Sequence, residues 1–398
     1  MSTNLNSDRI QDERSSAIPK SRVAVSLLFM ANGFFLGTWA PKIPEFAARL
    51  QLSDSGLGLM LLMFGLGSLA LMPVAGSQIA RYGSRRVVQV SAVLFIPTLL
   101  GITLVGSVWA GAAALFLFGG FTGAMDVAMN ANAVSVERRM RRSIMSSCHA
   151  FWSLGGLIGA GAGGFLIAHV GVLAHVLIAT GFAGALLIIA WPMIMVDRPH
   201  ADDVVAKARL PLSPLPWLIG LMALLSMIPE GAVLDWGAIY LRDELGADLA
   251  LSGLGFAAFS LTMAVMRFAG DWVRDRLGAV LTMRICSVLS MSGLLVAAFA
   301  PDVTIAMCGF ALAGVGISNM VPIAFSAAGN LPGLAPGIGL SVVTTMGYSG
   351  ILFAPSLIGF VAEHTSLANV YLALSLVNLV VLALSGLSRH ADAPHNAV

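Results

Sequence analysis

Two short polar stretches decide the fold: GSQIARYGSRR at residues 76–86 and GDWVRDRLG at residues 270–278. Each follows a long apolar run, and each contains the pattern Arg-x-Gly. The two arginines of this pattern, Arg81 and Arg276, lie 195 residues apart. A polar loop that returns at such a distance predicts a chain built twice from one structural unit.

The same spacing recurs in two further predicted helices. The pairs are Gly119 and Gly314, Gly155 and Gly350, and Gly164-Phe165 and Gly359-Phe360. A related match, Ser55–Gly58 with Ser252–Gly255, lies at a spacing of 197 residues. One spacing held across separate segments indicates duplication, although single glycine matches are common in a glycine-rich chain.

Composition places both copies in a membrane. Of 398 residues, 58% are hydrophobic and 11% are charged, and the mean hydropathy is +0.88. A soluble domain carries about 25% charged residues, so a globular cytosolic enzyme is excluded. The apolar content also excludes a disordered chain. The net charge of +2 gives no reason to expect a nucleic-acid partner.

Apolar runs predict twelve membrane-spanning helices, since about 20 residues cross the hydrocarbon core. They cover residues 23–41, 55–80, 87–106, 109–136, 143–169, 172–196, 214–241, 249–273, 279–300, 303–328, 337–362 and 366–388. The polar gap at 197–213 is predicted to link two six-helix bundles at 23–196 and 214–388, with polar tails at 1–22 and 389–398. The predicted fold class is an all-α membrane protein with two parallel pseudo-repeats, related by an axis along the membrane normal.

Positive charges orient these helices. Eighteen lie on one side of the membrane: Arg9, Arg14, Lys20, Arg22, Arg81, Arg85, Arg86, Arg138, Arg139, Arg141, Arg142, Arg198, Lys207, Arg209, Arg274, Arg276, Arg284 and Arg389. Three, Lys42, Arg49 and Arg242, lie on the other, and Arg267 lies inside a helix. The positive-inside rule therefore predicts cytoplasmic termini and a cytoplasmic linker. The first 22 residues are unlike a signal peptide, so an uncleaved first helix is expected.

Several kinds of chemistry are not expected. The three cysteines, Cys148, Cys286 and Cys308, show no paired spacing, which argues against disulfides and thiolate metal sites. The sequence contains no GxxxxGK phosphate-binding loop and no HExxH or GxSxG motif. We therefore expect neither an enzyme nor an ATP-driven pump, and no metal or other cofactor.

These features resemble the major facilitator superfamily over the full length of the chain. The loop at 76–86 is similar to the family's GxxxDRxGRR motif with Ala80 in place of the usual acid, whereas the second copy keeps the acid as Asp275. Four stretches resemble the bacterial branch of MosC- and YbjJ-like inner-membrane proteins: GAMDVAMNANA from Gly123, EGAVLDWGAIYLRD from Glu230, GVGISNMVPIAFSAAG from Gly314 and GYSGILFAPSLIGF from Gly347. The resemblance implies a multi-pass transporter of small polar solutes in the bacterial inner membrane.

Ionisable side chains inside membrane helices are costly unless they are paired or meet water, so they are candidates for function. In predicted helix 4, Thr122, Asp126 and Asn130 follow one another at intervals of four residues and therefore share a helix face. The carboxylate of Asp126 is a candidate to take up and release a proton during transport. Packing against a neighbouring helix is the alternative role.

Predicted helix 7 contains Pro229-Glu230-Gly231, followed by Asp235. Proline removes a backbone hydrogen bond and glycine loosens the next turn, so a break or kink is expected here. Glu230 is the second candidate for proton coupling or solute binding. Asp235 lies on a different helix face and is a candidate for solute contact, an outer gate or a structural pair.

Other polar residues extend the predicted site. His149 in predicted helix 5 is a candidate proton relay to Asp126, or a hydrogen-bonded structural residue. The uncharged candidates for solute binding are Asn32, Trp39, Asn319 and Tyr348. The resemblance supports Asn32 and Asn319, because helices 1, 4, 7 and 10 line the cavity in that family. Trp39 alternatively belongs to an aromatic belt at the membrane surface.

A further set of residues is predicted to form a cytoplasmic latch. It comprises Arg81, Gly83, Arg267, Asp271, Asp275, Arg276 and Gly278. In the resembled family, the acid of this loop faces a helix N-terminus, where the helix dipole favours negative charge, and holds the outward-open form. Because Ala80 replaces that acid in the first copy, the latch is expected to depend mainly on Asp275. Anchoring at the membrane surface is the alternative role of these charges.

The leading hypothesis is a proton-coupled secondary transporter that works by alternating access, as a symporter or an antiporter. The alternatives are a passive facilitator, drug or metabolite efflux by proton antiport, and a membrane sensor without transport. Predicted helix 4 lacks the intramembrane arginine of many drug antiporters, which counts against multidrug efflux. The expected partners are a small-molecule substrate, protons and membrane lipids, with the chain acting as a monomer.

Overall fold

The computed structural model describes residues 2–39, 42–52, 54–197, 211–247, 249–334 and 336–392, and every regular element among them is a helix. The α-helices are α1 (Ser2–Trp39), α2 (Ile43–Arg49), α3 (Asp54–Tyr82), α4 (Ser84–Phe95), α5 (Thr98–Leu104), α6 (Val108–Met140), α7 (Met145–Ala190), α8 (Leu215–Asp243), α9 (Leu249–Leu277), α10 (Ala279–Ala298), α11 (Val303–Ile317), α12 (Met320–Gly329), α13 (Pro336–His364) and α14 (Leu367–Leu384). Short 3-10 helices follow at Trp191–Met193 and Ser385–Ala391. The predicted all-α class is confirmed.

Eleven helical segments of the described chain are long and apolar enough to cross a membrane. The predicted eighth span corresponds to α9. This helix is not one of the eleven, and its second half carries charged residues at 267, 271, 274, 275 and 276. The predicted number of twelve spans therefore remains a prediction.

Interruptions of the helices occur at several proline and glycine positions. Pro97 separates α4 from α5, and Gly171, with φ 82° and ψ 165°, divides α7 into two segments. The predicted tenth helix is interrupted at Ser318–Asn319, between α11 and α12. In contrast, α8 continues through Pro229, so the break expected there is not found, and the alternative of a kink stays a prediction. A proline inside a membrane helix is tolerated where neighbouring groups satisfy the freed backbone.

Packing divides the chain into two compact units. The first comprises Met1–Ile144 and Phe151–Ala208, and the second comprises Met145–Ala150 and Arg209–Val398. The first six residues of α7 thus pack with the second unit.

Each unit has an aromatic core. In the first, the ring of Phe95 lies 4.6 Å from Phe35 and 6.0 Å from Phe118. In the second, Tyr371 lies 5.2 Å from both Tyr240 and Phe310. The hydroxyl of Tyr240 donates to the carbonyl of Ala297 and that of Tyr371 to the carbonyl of Ala232, so these buried polar groups are satisfied.

Equivalent glycines bring helices into close contact in both units. A Cβ atom at Gly119 would lie 1.9 Å from the carbonyl oxygen of Phe64, and one at Gly314 would lie 2.4 Å from that of Phe259. Phe64 and Phe259 are themselves 195 residues apart. Only a residue without a side chain permits this approach, so the repeated spacing corresponds to a repeated packing contact.

A carboxylate caps the N-terminus of the helix that follows each Arg-x-Gly loop. In the first unit, Asp197 accepts hydrogen bonds from the backbone N–H groups of Ser84 (2.8 Å) and Arg85 (3.1 Å). In the second, both oxygens of Asp392 lie 3.0 Å from the N–H of Ala279. Asp197 and Asp392 are 195 residues apart. These carboxylates satisfy orphan N–H groups at the start of α4 and α10.

The two latch glycines make this geometry possible. Gly83 and Gly278 immediately precede α4 and α10, with φ of 82° and 76° and ψ of 159° at both. Residues with a side chain rarely adopt this conformation. The predicted latch residues Gly83 and Gly278 therefore have a defined backbone role, which is to turn the chain into the capped helix.

Replacement of either capping carboxylate should destabilise its unit to a similar extent. We expect Asp197→Ala and Asp392→Ala each to cost about 1 kcal/mol, the usual effect of losing a helix cap, and to lower the melting temperature in detergent. Asp243→Ala is the matched control, because Asp243 is exposed and pairs with the adjacent Arg242. Equal melting temperatures for all three variants would contradict a shared capping role.

Two cations cover the C-terminal end of α5. Lys42, which is 1% exposed, donates a hydrogen bond to the hydroxyl of Thr103. Arg49 donates to the carbonyls of Val105 and Ile102, the latter at 2.8 Å. Cations at a helix C-terminus interact favourably with its free carbonyls. Burial nevertheless lowers the pKa of the Lys42 amine to about 8, an effect that Glu45 opposes and Arg49 reinforces.

The stability of the protein should depend on pH through Lys42. Its pKa of about 8 lies below the ordinary value of 10.5. Between these values the unfolded chain binds more protons than the folded protein, so this lysine makes stability rise with pH. We expect the melting temperature of the wild type to rise relative to that of Lys42→Met from pH 8 to pH 10.5. The control is Lys20→Met, which replaces an exposed lysine and should show no such trend. If the melting temperatures of the wild type and of Lys42→Met changed in parallel with pH, the prediction would be refuted.

Candidate functional site

A polar cluster lies inside the first unit, where α1, α6 and α7 meet. The side-chain amide of Asn32 donates to the carbonyl of Thr122 at 3.4 Å, and the indole N–H of Trp152 donates to the side-chain oxygen of Asn32 at 3.0 Å. A Cβ atom at Gly33 would lie 2.0 Å from the carbonyl oxygen of Trp152, so α1 and α7 are in direct backbone contact here. The structure thus brings the predicted residues Asn32 and Thr122 together.

Asp126 lies one turn further along α6 and is 3% exposed. The side-chain amide of Asn130 donates to its carbonyl at 2.9 Å and to its Oδ1 at 3.3 Å. Asp126 Oδ2 and Asn130 Oδ1 are buried and have no hydrogen-bond partner among the described residues. In the described part of the chain, no basic side chain forms an ion pair with Asp126. A charged carboxylate is costly in such surroundings, so this site favours a proton or a hydrogen-bond donor.

Trp39 packs away from this cluster, in the aromatic core. It is 5% exposed, and its ring centroid lies 5.3 Å from that of Phe46 and 6.3 Å from that of Phe118. Edge-on aromatic contacts of this kind stabilise a helix core. This packing therefore gives no support to the predicted role of Trp39 in solute binding.

Glu230 and Arg267 form an ion pair inside the second unit. Nη2 of Arg267 lies 3.1 Å from Oε1 and 3.3 Å from Oε2 of Glu230. The side chain of Arg267 is 6% exposed, whereas that of Glu230 is 27% exposed. The pair joins a residue predicted for proton coupling with one predicted for the latch, and removal of one member of such a pair is costly.

Asn319 lies at the break between α11 and α12, beside α9. Its side-chain amide donates to the hydroxyl of Ser318 at 2.9 Å and to the carbonyl of Met266 at 3.4 Å. A Cβ atom at Gly270 would lie 1.7 Å from the side-chain oxygen of Asn319, so the amide fills the space left by this glycine. The interruption of the helix is thereby packed directly against α9.

The remaining predicted site residues lie on α7, α8 and α13. His149 belongs to the part of α7 that packs with the second unit, and its ring faces Phe325 edge-on at 5.6 Å. Asp235 is exposed on α8, and Tyr348 is half-buried on α13. These positions leave the relay and solute-binding roles of the three residues as predictions.

Asp271 caps the N-terminus of α7. Its carboxylate accepts hydrogen bonds from the backbone N–H groups of Ser146 (2.9 Å) and Ser147 (3.0 Å) and from the Ser147 hydroxyl. Ile144, which precedes the helix, supplies no side-chain cap. The carboxylate of Asp271 therefore satisfies N–H groups that the helix itself leaves free.

The acid expected at a helix N-terminus was Asp275, but the structure places Asp271 there, one turn earlier on α9. Asp275 is exposed near the end of α9. Arg276 is also exposed and stacks over the ring of Trp272, 4.3 Å from its centroid. Arg81 is exposed at the end of α3. Asp271 faces inward because it shares a helix face with the buried Arg267, four residues before it.

Comparison with known proteins identifies the family. The Major Facilitator Superfamily model matches residues 25–229 and 219–397. The chain belongs to the major facilitator superfamily. It is similar to an MFS-type transporter of Yersinia pestis, with 33% identity over 386 residues, covering 96% of this chain and 98% of that protein. It is also similar to the membrane protein MosC of Rhizobium meliloti, with 33% identity over 365 residues, covering 91% and 88% of the two chains.

Solved structures of the major facilitator superfamily share this fold. The fucose:proton symporter FucP of E. coli matches with a TM-score of 0.78 at 15% identity, covering 92% of this chain and 98% of that one. The proton:xylose symporter XylE matches with a TM-score of 0.71 at 13% identity, covering 93% and 95%. Membership of the superfamily makes the chain a transporter rather than an enzyme, as expected.

Sequence reasoning did not assign Trp152 to the polar cluster, and it did not pair Glu230 with Arg267. A signal for Trp152 was present, since an indole N–H in a membrane helix needs an acceptor and Asn32 carries one. No signal in the sequence pairs Glu230 with Arg267, because they lie on different helices, 37 residues apart.

Loss of the Asp271 cap should loosen the first turn of α7 in this major facilitator protein. Cys148 is a natural reporter, because it is buried directly after Ser147. In a Cys286→Ser, Cys308→Ser background, we expect Asp271→Ala to increase the rate of maleimide labelling at Cys148 several-fold. Asp275→Ala is the control and should label as slowly as the parent. Equal labelling rates in the two variants would show that Asp271 does not hold this turn.

Proposed function

We propose that this transporter couples proton movement to the transport of a small polar organic solute across the bacterial inner membrane, by alternating access. The observation that carries the proposal is Asp126, a buried carboxylate with one oxygen that has no hydrogen-bond partner in the described part of the chain. A membrane protein retains such a group at a cost in stability, which a role in transport accounts for.

The two candidate acids are proposed to have different roles. Asp126 has no basic partner in the described chain, so protonation relieves the cost of its charge. Glu230 forms an ion pair with the guanidinium of Arg267 at 3.1 Å. We therefore assign proton binding to Asp126 and a role in gating or solute contact to Glu230. This separates two acids that the sequence treats as equivalent candidates.

The polar cluster of the first unit is proposed to contact the solute. Asn32 and Asn130 carry side-chain amides, which offer both donors and acceptors, and Thr122 and Trp152 extend the cluster. Such groups suit a solute with several hydroxyl or amide groups. In the second unit, Asn319 is the corresponding proposal, because its side-chain oxygen is buried and has no hydrogen-bond partner among the described residues.

The proposed topology has twelve spans, with α9 as the span beyond the eleven apolar segments and with cytoplasmic termini. The proposed bundles are 23–196 and 214–388, joined by the cytoplasmic linker 197–213 and flanked by tails at 1–22 and 389–398. Residues 198–210 and 393–398 lie outside the described residues. A monomer is the proposed functional unit.

Proton coupling should depend on Asp126. We expect purified wild-type protein in liposomes to change the internal pH when a transported solute is added, and Asp126→Asn to reduce this change to the level of empty liposomes. Fucose and xylose are the first probes, because two solved structures with this fold are a fucose:proton and a proton:xylose symporter. The matched control, Asp243→Asn, removes an exposed acid and should leave the pH change intact.

A second measurement tests proton binding without a known solute. Infrared spectra of the pure protein should contain a carbonyl band of a protonated carboxylic acid that disappears as the pH is raised, and Asp126→Asn should lack this band. Solute flux without any change in internal pH would instead show a passive facilitator. Thermal stabilisation by a probe that is never transported would show a sensor.

A further inference from the structure

The interruption between α11 and α12 coincides with a proline that frees a backbone carbonyl. The helix is regular up to Ser318, whose N–H donates to the carbonyl of Gly314, and it resumes with the bond from Ile323 to the carbonyl of Asn319. In a continuous helix, the carbonyl of Ser318 would accept from the N–H of residue 322. That residue is Pro322, which has no N–H. The carbonyl of Ser318 therefore needs another donor.

Arg267 of α9 provides that donor. Its Nε lies 3.4 Å from the carbonyl oxygen of Ser318. Ser318 is 0% exposed and Arg267 is 5% exposed, so water does not replace this contact. A carbonyl freed by proline inside a membrane helix is satisfied by a neighbouring side chain, by ordered water or by a local change of helix geometry. The guanidinium thus takes the position of the missing N–H of Pro322.

The same guanidinium is held by Glu230 of α8. The carboxylate contacts Nη2 of Arg267, while Nε faces the Ser318 carbonyl. Glu230 is the more accessible partner, with 27% of its side chain exposed against 6% for Arg267. A change in the charge of Glu230 can therefore affect the helix interruption through one intervening side chain, that of Arg267.

We propose that Arg267 is a positioning residue that couples the charge of Glu230 to the geometry of the interruption at Ser318–Asn319. While Glu230 is charged, it holds the guanidinium against the Ser318 carbonyl. When Glu230 is neutralised, Arg267 moves away and the angle between α11 and α12 changes. The proposal deepens the proposed transport function by naming the element that moves, but its test measures structure, so its failure is distinguishable from a failure of transport.

The agent that releases Arg267 must satisfy a carboxylate. It is a proton or a cationic hydrogen-bond donor on the solute, such as an ammonium group, since both neutralise Glu230. Other charged or titratable groups near the guanidinium are His149 of α7, whose ring interacts with it electrostatically, and Asp271, one turn further along α9. Variants of these two residues therefore accompany any test that uses pH.

The first experiment tests whether a backbone N–H at position 322 can replace Arg267 as the donor to the Ser318 carbonyl. We expect Arg267→Met to lower the melting temperature in detergent by about 5 °C, because the buried Ser318 carbonyl loses its donor. Pro322→Ala restores an N–H at position 322, so the double variant should regain the part of this loss that comes from the Ser318 carbonyl, while the part that comes from the lost ion pair with Glu230 persists. The matched control is Arg267→Met with Pro73→Ala, which changes a proline in α3 and should give no recovery. Additive effects in the Pro322 double variant would overturn the proposal.

The second experiment measures the angle directly. Spin labels are attached to Cys308 in α11 and to Pro332→Cys after α12, both exposed, in a Cys148→Ala, Cys286→Ala background. We expect Glu230→Gln to shift the distance distribution, and the wild type to show the same shift at low pH or with methylammonium chloride, sodium chloride being the control. Pro322→Ala should remove the response, whereas His149→Gln and Asp271→Asn should retain it. An unchanged distribution in Glu230→Gln would overturn the proposal even if Arg267→Met fails to fold.

The low-pH measurement and the methylammonium measurement together identify which cation acts on Glu230. A shift at low pH alone assigns the role to a proton, and a shift with methylammonium alone assigns it to a cationic group of the solute. The absence of both shifts in the wild type would refute the link between Glu230 and the helix interruption.

Discussion

Helix ends leave backbone N–H and C=O groups without partners inside the helix, and charged side chains of this chain satisfy several of them. The carboxylates of Asp197, Asp392 and Asp271 meet helix N-termini, and the guanidinium groups of Arg49 and Arg267 meet free carbonyls. Charges that lower the hydropathy of the chain thereby complete its hydrogen bonding. Their removal exposes backbone rather than merely altering a surface.

Features that depend on local composition were accessible from the sequence. Apolar runs predicted an all-helical membrane protein, and the spacing of 195 residues predicted equivalent contacts such as those of Gly119 and Gly314. Asp197 and Asp392 follow the same spacing and were equally accessible, although the sequence analysis did not use them. The family assignment followed from these loops and was confirmed by the comparisons.

Features that depend on how the helices pack against one another could not be predicted from the sequence. Pro229 and Pro322 both lack an N–H, but α8 continues through the first, whereas the helix that contains the second is interrupted. The sequence alone does not predict which of the two helices is interrupted, because it does not show how the helices pack. For the same reason, Asp275 looked like the capping acid until the structure showed Asp271 facing the N–H groups of α7.

The duplicated contacts and the ionisable residues are distributed differently between the two halves. Position 321, which corresponds to Asp126, is a valine, and position 72, which corresponds to Arg267, is a methionine. The glycine contacts and carboxylate caps are therefore structural features that both halves share, whereas these two ionisable residues each occur in one half. Substitutions at the positions that the halves do not share would leave the common packing intact. Redesign of solute specificity in this protein can therefore start from those positions.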